Sequence, residues 1–347
     1  MYPALSVADA IKKGETISLY IGAEGEIEET LVPRAGLSLE TIPGGGLHGV
    51  GPLRFVRNLL RLARGFVQAW RIVGRFRPDV LFLTGGYVSV PVAGATWLRR
   101  RPIVVYLPDV EPGLAIKVLS RLATRVAVTV EASRQYLPKV VVTGYPLRPE
   151  FHQVERQTAR TDFNIGPEEK VLLVFGGSRG ARTINRALGA ILEPVLTQMH
   201  LLHVCGRLDF KECQARRDAL PVEAQARYHL FDYMHDMAQV LAAADLVVAR
   251  AGAATLAEFP FFGLPAILVP YPYAWRYQKV NADYLVTRGA AMRLNDEDMR
   301  EQLWPTIKAL LHDGGRLERM SNNARKLARP DAANCLADLL AQLAQGS

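Results

Sequence analysis

Residues 247–285 read VVARAGAATLAEFPFFGLPAILVPYPYAWRYQKVNADYL, and this stretch is the strongest indication of the fold class. The apolar run at residues 245–248 predicts a buried parallel strand. A turn of small residues at 250–255 leads the chain directly into a helix, and a second apolar run at 266–269 predicts the next strand. A strand, a tight turn and a helix in immediate succession are typical of a doubly wound α/β domain.

The same stretch carries the groups expected of a ligand site. Small residues let a ligand approach backbone N–H groups, and the N-terminus of a helix favours negative charge. Glu258, about one turn into the helix, can reach a neutral hydroxyl such as that of a ribose. Gln278 and Asn281 follow the second strand, and their amides suit the hydroxyls of a sugar. We therefore expect a cleft for a nucleotide sugar.

Strand candidates alternate with helical stretches along the whole chain, which predicts parallel sheets with helices on both faces. The candidates are residues 17–21, 80–84, 103–107, 126–130, 140–143, 171–175, 200–204, 227–231, 245–248, 266–269 and 291–294. The motif at 144–149 interrupts the series, and we interpret the polar segment 150–164 as an interdomain linker. We expect domains of residues 1–147 and 148–347 that face a central cleft. Helices at 301–313 and 317–344 close the chain, and the last helix is expected to pack back on the first domain.

Composition is that of an ordinary globular enzyme, with 347 residues, 49% of them hydrophobic and 22% charged, and a net charge of +8. Cys205, Cys213 and Cys335 show no spacing typical of a disulfide framework or a metal site, which favours a reducing compartment. No run approaches the roughly 20 apolar residues that a membrane-spanning helix needs, and the first residues lack the pattern of a secretory signal. We expect a cytoplasmic protein.

Residues 52–76, PLRFVRNLLRLARGFVQAWRIVGRF, predict a long helix of unusual composition. It carries six arginines and no acidic residue, while apolar residues recur at helical spacing. One interpretation is a core-facing stripe with a solvated basic back. The other is a surface attracted to an anionic membrane, which would make this a peripheral protein of the cytoplasmic membrane face.

Two further glycine-rich turns follow predicted strands. Residues 176–182, GGSRGAR, open a helix, and their free N–H groups could bind a phosphate. Residues 85–89, GGYVS, stand at a strand end where open α/β sheets bind ligands. An ordinary βα turn explains either motif equally well when it is taken alone. A P-loop is excluded because no Gly-Lys-Ser/Thr follows, and a G-x-G-x-x-G nicotinamide fingerprint is absent.

The motifs together resemble a known family. GGYVS at 85–89, GYPLR at 144–148, GGSRGAR at 176–182 and RAGAATLAE at 250–258 occur in the order and spacing of the MurG family. YPALSVA at 2–8 also matches, so the resemblance spans essentially the whole chain. MurG enzymes are peptidoglycan glycosyltransferases that add GlcNAc to a lipid-linked muramyl-pentapeptide. The resemblance implies a GT-B fold, with an N-terminal acceptor domain and a C-terminal UDP-GlcNAc domain.

The resemblance also implies how the nucleotide of UDP-GlcNAc is held. Ser178 and Gly177 would hold the diphosphate, and Arg148 would reach the nucleotide from the hinge. The backbone around Met234 would contact uracil, and Glu258 would hold the ribose. The phosphates would also be capped by Ala253, Ala254 and Thr255.

The resemblance assigns the sugar and the acceptor to two further groups of residues. Gln278 and Asn281 would hold the GlcNAc, and the acceptor would bind at Gly85, Gly86 and Tyr87. The implied reaction is an inverting displacement at the anomeric carbon. Helix dipoles and backbone donors would stabilise the departing UDP, so neither a metal nor another cofactor is expected.

The chain departs from the family pattern in three places. The first strand and the GGTGGH loop of the family are absent before Met1, so the simplest hypothesis is that Met1 is an internal methionine of a longer chain. The histidine of that loop is a candidate base. The family's His-Glu-Gln-Asn segment reads YLPD at 106–109, and Asp109 becomes the candidate base if the histidine is missing. A family His-and-acid pair is replaced by YAW at 273–275, at the side of the expected sugar.

Two alternatives remain open at this point. The altered segment 106–109 is compatible with a GT-B glycosyltransferase that uses another lipid or small molecule as acceptor. A chain that starts at Met1 would have a sheet without a central strand, with unpaired edges, and could be a non-catalytic scaffold at the membrane.

Overall fold

A computed structural model describes residues 2–11, 16–45, 51–177, 180–273 and 276–346. The chain divides into two compact units. Unit 1 consists of Met1–Arg148 and Pro330–Ser347, and unit 2 consists of Pro149–Arg329.

Unit 1 begins with alternating helices and strands. These are α1 (Tyr2–Ile11), β1 (Leu19–Ala23), α2 (Glu28–Arg34), β2 (Ser38–Ile42), α3 (Pro52–Phe76), β3 (Leu81–Leu83), α4 (Ser89–Leu98), β4 (Ile103–Leu107), α5 (Leu114–Leu122), β5 (Arg125–Val128) and β6 (Val140–Val142). Strands β1 and β2 form one parallel pair, and β3-β4-β5-β6 form a four-stranded parallel sheet. Every residue of β4 is buried, because alternate side chains enter the apolar clusters on the two faces of the sheet.

Unit 2 continues the alternation around a larger sheet. Its elements are α6 (Arg156–Asp162), β7 (Val171–Phe175), α7 (Arg182–Gly189), α8 (Leu192–Gln198), β8 (His200–Val204), α9 (Phe210–Asp218), α10 (Val222–Ala226), β9 (Tyr228–Phe231), α11 (Met237–Ala243), β10 (Leu246–Ala249), α12 (Thr255–Phe262), β11 (Ala266–Leu268), α13 (Tyr277–Val286), β12 (Ala291–Arg293), α14 (Met299–His312) and α15 (Gly314–Arg325). The last helix, α16 (Ala332–Gln345), packs against α1 of unit 1.

The strand order of the unit 2 sheet creates a reversal point. The six parallel strands lie in the order β12-β11-β10-β7-β8-β9. The chain therefore moves from β7 outward in one direction and then returns to add β10 on the other side of β7. In open α/β sheets, ligands bind at the carboxyl ends of the strands where the order reverses. This position lies between the ends of β7 and β10.

The predicted strands are present, with bounds shifted by at most two residues, and one further strand occurs among the described residues. The missed strand is β2, with the sequence SLETI. This sequence lacks the apolar run by which the other strands were recognised, because only Ile42 of β2 is buried and the other four positions are at least partly exposed.

The interpretation of residues 150–164 as a linker is wrong, because this segment contains α6 and packs into unit 2. Arg160 is almost fully buried and donates to the carbonyl oxygen of Ala243 at 3.1 Å and to that of Pro167 at 2.7 Å. Its guanidinium also pairs with Asp245 at 2.8 Å. A buried arginine is stable only when its donors are paired, so the polar residues of this segment serve the interior of unit 2.

The single helix expected at 317–344 is also wrong. The structure has two helices there, α15 and α16, with Pro330 between them. Proline lacks the backbone N–H that a helix needs, and the division between the two units falls at the same place. Leu336 and Leu340 of α16 join the apolar cluster around Val7 in unit 1.

Candidate functional site

Two turns meet at the reversal point of the unit 2 sheet. One follows β7 and begins at Gly176, and the other follows β10 and begins at Arg250. Because Phe175 pairs with Ala249 in the parallel register, both turns leave the sheet at the same level. Each turn leads into the N-terminus of a helix, α7 or α12, where the positive end of the helix dipole favours a negative charge. The two motifs predicted from sequence are therefore neighbours on one edge of the sheet.

The first turn requires glycine for steric reasons. Gly177 and Gly180 have φ values of +89° and +77°, which side chains of L-residues rarely adopt. A Cβ at Gly180 would lie 2.2 Å from the carbonyl oxygen of Cys205, well inside contact distance. A Cβ at Gly176 would lie 2.3 Å from the backbone nitrogen of Ala181. Ser178 lies outside the described residues.

The second turn is open on its outer side. No atom lies within 4 Å of the position that a Cβ would take at Gly252. Thr255 donates from its hydroxyl to the carbonyl oxygen of Gly252 at 2.6 Å, and this bond closes the turn at the start of α12. Ala253 and Ala254 are half-exposed beside it, and Glu258 lies half-buried one helical turn further along. These positions suit a ligand that contacts backbone N–H groups and one carboxylate.

Arg250 fixes the second turn from beneath. This buried residue donates to the carbonyl oxygen of Val269 at 3.2 Å and pairs with Asp296 at 2.5 Å. Thr183, at the start of α7, donates to the other oxygen of Asp296 at 2.9 Å. The Asp296 carboxylate thus holds the first turn of α7 directly, and through Arg250 it holds the carboxyl ends of β10 and β11. Asp296 could not be predicted from local sequence, because it stands 46 residues from Arg250 and 113 from Thr183.

The two amides expected at the sugar bind backbone groups in this structure. The Gln278 side-chain oxygen accepts a hydrogen bond from the N–H of Tyr271 at 2.9 Å. Asn281 is fully buried, and its amide nitrogen donates to the carbonyl oxygen of Ala251 at 3.2 Å. Asn281 therefore supports the second turn directly. Tyr273 is strongly exposed beside Tyr271, whereas Ala274 and Trp275 lie outside the described residues.

Two other predicted donor contacts, Met234 and Arg148, lie outside the two turns. Met234 is half-buried in the loop between β9 and α11, at the carboxyl end of an outer strand of the same sheet. Arg148 is the last residue of the first segment of unit 1. Its guanidinium carbon lies 5.2 Å from the ring centroid of Tyr2, within the range of a cation–π contact.

In unit 1, the predicted acceptor residues and the predicted base share one sheet edge. Gly85, Gly86 and Tyr87 follow β3, and Asp109 follows the neighbouring strand β4. Both glycines have positive φ values, +95° and +94°, so the turn after β3 depends on glycine. The Tyr87 side chain is about half exposed, and Asp109 is half-buried. The topology therefore brings together residues that lie more than 20 positions apart in the sequence.

Tyr106 stands where the family's His-Glu-Gln-Asn segment has its histidine, but Tyr106 cannot serve as a base. Its hydroxyl lies 2.9 Å from the Thr129 hydroxyl and donates to the carbonyl oxygen of Gly144 at 3.2 Å. Complete burial raises the pKa of Tyr106 well above its usual value. The phenol stays neutral and supports the core, so Asp109 remains the candidate base of this segment.

Among the described residues, no cluster of three or more His, Cys, Asp or Glu side chains could hold a metal ion. None of the helices in the described part of the chain has the length and apolar character needed to cross a membrane.

Both halves of the chain match models of one family. Residues 1–128 match the glycosyltransferase family 28 N-terminal domain, and residues 171–336 match the glycosyltransferase family 28 C-terminal domain. A UDP-N-acetylglucosamine–N-acetylmuramyl-(pentapeptide) pyrophosphoryl-undecaprenol N-acetylglucosamine transferase from Roseiflexus sp. (strain RS-1) is 42% identical, covering 94% of this chain and 83% of the relative. A transferase of the same name from Desulforamulus reducens is 37% identical, covering 96% of this chain and 92% of the relative.

Solved structures share the fold. The crystal structure of MurG from Acinetobacter baumannii has a TM-score of 0.79 at 24% identity, covering 98% of this chain and 95% of that chain. A UDP-GlcNAc 2-epimerase from Neisseria meningitidis, solved bound to UDP-GlcNAc, has a TM-score of 0.69 at 13% identity, covering 98% of this chain and 96% of that chain. The predicted fold class, GT-B with two doubly wound Rossmann-like domains, is confirmed.

Proposed function

The chain belongs to glycosyltransferase family 28, and we infer that it is the N-acetylglucosaminyltransferase its curated relatives are named for. It transfers GlcNAc from UDP-GlcNAc to undecaprenyl-diphospho-muramoylpentapeptide and so converts lipid I to lipid II in peptidoglycan synthesis. The observation that carries this inference is the pair of turns at the reversal point of the unit 2 sheet. They present two helix N-termini side by side, as a diphosphate requires.

The donor is held in unit 2, and its diphosphate lies against the two turns. Ser178 and Gly177 contact one side, and the backbone of Ala253–Thr255 at the start of α12 contacts the other. The openness around Gly252 supports this placement, since a ligand can approach the backbone there without a clash. Glu258 accepts hydrogen bonds from the ribose hydroxyls. It stands about one turn into α12, so its carboxylate is separated from the negative phosphates at the start of the helix.

The remaining donor contacts follow the family pattern. Arg148 reaches the nucleotide, and the backbone around Met234 contacts uracil. Gln278 contacts the GlcNAc, and its orientation supports this role. Because its oxygen accepts from the Tyr271 N–H, its amide NH₂ points away from that bond and can donate to a sugar hydroxyl. Asn281 acts on the sugar through the second turn that it supports.

The reaction is a direct displacement with inversion. An acceptor hydroxyl attacks the anomeric carbon of GlcNAc, and the bond to the UDP oxygen breaks with its electron pair leaving on the diphosphate. Backbone N–H groups at the starts of α7 and α12 stabilise that negative charge. Where the histidine of the family loop is missing, Asp109 accepts the proton from the hydroxyl, and the acceptor lies on Gly85, Gly86 and Tyr87 at the same sheet edge.

The direct test is transfer of labelled GlcNAc from UDP-GlcNAc to the lipid-linked muramyl-pentapeptide, run beside a panel of other lipid acceptors. Transfer to the muramyl-pentapeptide with consumption of donor would support the function. Transfer only to another acceptor would show that the acceptor assignment is wrong. An Asp109→Asn variant that keeps its full rate would remove Asp109 as the base.

We also propose that α3 binds an anionic membrane surface, at the cytoplasmic face, as a peripheral contact. Its side chains fall on three faces. One face packs into unit 1 through Gly65, Ala69, Ile72 and Val73. A second face exposes the apolar residues Val56, Leu59, Leu60, Val67 and Trp70. A third carries the exposed residues Arg57, Arg61, Arg64, Arg71 and Arg75.

The three faces favour the second of the two interpretations of this helix, the membrane-facing surface. A helix with only a core stripe and a solvated back would bury its large apolar residues. Here Leu60 is 62% exposed, and the core face contains different residues. An exposed apolar stripe bordered by arginines is typical of a helix that lies in a membrane interface. The helix therefore supports a membrane role that the core stripe alone does not explain.

Neighbouring helices extend the same kind of surface. Helix α3 packs against α4, and α4 packs against α5. Trp97 and Leu98 at the end of α4 and Leu114 at the start of α5 are more than half exposed. The Arg99 guanidinium lies 4.1 Å from the ring centroid of Trp70, so the basic run at 99–101 adjoins the apolar stripe of α3. Binding to phosphatidylglycerol vesicles but not to phosphatidylcholine vesicles would support the proposal, and absence of binding to both would contradict it.

A further inference from the structure

We infer that a buried chain of hydrogen bonds behind the first glycine turn positions the diphosphate site. The chain runs from β9 through β8 to α7 and consists of Tyr228, His203, Asn185, Asp209 and Arg182. This inference rests on the proposed function, since it assumes that the turn binds the diphosphate of UDP-GlcNAc. None of these five side chains was predicted as a site residue from the sequence.

The hydrogen bonds have one allowed direction. Asn185 donates from its amide nitrogen to the carbonyl oxygen of Cys205 and to Asp209 Oδ2, both at 2.8 Å, which uses both amide protons. The Asn185 side-chain oxygen must then accept from His203 Nε2 at 3.0 Å. His203 Nδ1 is left as an acceptor for the Tyr228 hydroxyl at 2.8 Å. The network therefore fixes a single neutral tautomer of His203.

Burial supports the same assignment. Complete burial lowers the pKa of His203 to about 3, so the ring is neutral at physiological pH. A protonated ring would donate from both nitrogens and could not accept from the Tyr228 hydroxyl. Burial raises the pKa of Tyr228 above its usual value, which keeps its hydroxyl proton available for His203.

The network ends on the backbone that shapes the glycine turn. Asn185 holds the carbonyl oxygen of Cys205, the same atom that lies 2.2 Å from the position of a Cβ at Gly180. Asp209 accepts from Arg182, the first residue of α7, at 3.0 Å. Its own N–H donates to the carbonyl oxygen of Gly206 at 3.3 Å. The turns after β7 and after β8 are thus fixed to each other.

Core filling alone does not explain this arrangement. The surrounding core is apolar, with Leu172, Val174 and Leu201 all buried, and a buried polar group in such surroundings costs free energy unless it is paired. A network of hydrogen bonds that leads from β9 to the glycine turn after β7 can position that turn. It holds the Gly180 backbone, whose own N–H donates to the carbonyl oxygen of Gly177 at 2.9 Å, and so fixes the start of α7, where backbone N–H groups can meet a phosphate. This is the task of a positioning network.

The test compares a ligand that has the diphosphate with one that lacks it. Inhibition constants of UDP and of uridine would be measured against GlcNAc transfer for the wild type, Asn185→Asp and Tyr228→Phe. Asn185→Asp replaces the two donors with acceptors beside Asp209, and we expect UDP to inhibit on the order of tenfold less well. Tyr228→Phe removes only the hydroxyl, and we expect a smaller loss of a few fold. Uridine inhibition should stay unchanged in both variants.

The outcomes distinguish a failure of the positioning role from a failure of the proposed function. Equal weakening of UDP and uridine, or unchanged UDP inhibition in both variants, would overturn the positioning role while the proposed function stands. A wild type that UDP does not inhibit would contradict the proposed function and with it this inference. If Asn185→Asp fails to give folded protein by circular dichroism, Tyr228→Phe decides the matter by the same UDP and uridine comparison.

Discussion

The carboxyl edge of the unit 2 sheet and the outer face of α3 in unit 1 arrange polar and apolar side chains in opposite ways. At the sheet edge, Arg250, Asn185 and Asn281 are buried and bonded to backbone carbonyl oxygens. On α3, Leu60 and Trp70 are exposed in a stripe beside arginines. A diphosphate needs donors at fixed positions, whereas a lipid surface adapts to whatever apolar and basic groups reach it. Changes in the two regions should therefore affect different steps.

The largest effect is expected from Gly180→Ala at the sheet edge. The new Cβ would lie 2.2 Å from the Cys205 carbonyl oxygen, and φ of +77° is strained for alanine. Displacement of the turn should lower kcat/KM for UDP-GlcNAc by about a hundredfold or more, with unchanged binding to phosphatidylglycerol vesicles. Gly314→Ala is the control, because it adds a methyl group where no atom lies within 4 Å. Loss of vesicle binding in Gly180→Ala would break the separation between the two regions.

Acid should destabilise unit 2 through the buried His203 and the half-buried His229. Burial lowers the pKa of His203 to about 3 and that of His229 to about 4, against 6.5 for an ordinary histidine. Because these folded values lie below the unfolded one, the unfolded chain binds more protons as the pH falls below about 6.5. Stability is then complete above that pH and decreases toward pH 4, by up to about 1.4 kcal/mol per pH unit for each histidine.

Thermal unfolding followed between pH 7 and pH 5 checks this expectation. The melting temperature of the wild type should fall across this range, and His229→Leu should lessen the fall. His312→Leu, at an exposed histidine of the same unit, should leave the slope unchanged. Hydrogen exchange should show earlier opening at low pH in unit 2 than in unit 1. A pH-independent melting temperature would contradict the prediction.

A smaller effect is expected from Leu60→Ser on the apolar stripe of α3. Leu60 is exposed, so the change leaves the core intact while removing apolar surface that a membrane would bury. Affinity for phosphatidylglycerol vesicles should fall by about tenfold, with an unchanged inhibition constant for UDP. Val222→Ser removes a still more exposed apolar residue from unit 2 and should not alter vesicle binding. Equal effects of the two substitutions would mean that α3 has no special role at the membrane.

The smallest effect is expected from Arg61→Gln on the basic face of α3. One arginine near an anionic surface contributes about 1 kcal/mol, so vesicle affinity should fall by about fivefold. The difference should shrink as salt is added, because screening weakens the attraction. Arg300→Gln, at an exposed arginine of unit 2, is the matched control. Sedimentation with vesicles at two salt concentrations measures both variants, and a salt-independent loss would indicate a structural effect of the substitution.

The candidate site was predictable where local sequence dictates local geometry. Glycines at 177 and 180 mark a turn with positive φ, and the small residues after β10 mark a backbone open to a ligand. The residues that support these turns were not predictable. Asp296, His203 and Tyr228 give no local signal, because each acts through a partner that the fold brings near.

Asn281 shows a related limit of prediction from sequence: the residue was predicted, but its surroundings were not. Its position in the sequence suggested an amide directed at a sugar. In the structure it is fully buried against the carbonyl oxygen of Ala251, a residue 30 positions earlier. An amide serves a ligand or a backbone equally well in chemical terms, so only the three-dimensional surroundings distinguish the two roles.

Local sequence is enough to predict the parallel strands, the glycine turns at their ends and the amphipathic character of residues 52–76. Each of these follows from side-chain spacing along a short segment, which the backbone periodicity converts into faces and turns. Long-range contacts, in contrast, set which apolar stripe of α3 is buried and place Arg160 in the interior. The same long-range contacts set which buried groups hold the two turns at the reversal point of the unit 2 sheet. These outcomes depend on contacts between residues far apart in the chain, and the order of the strands brings those residues together.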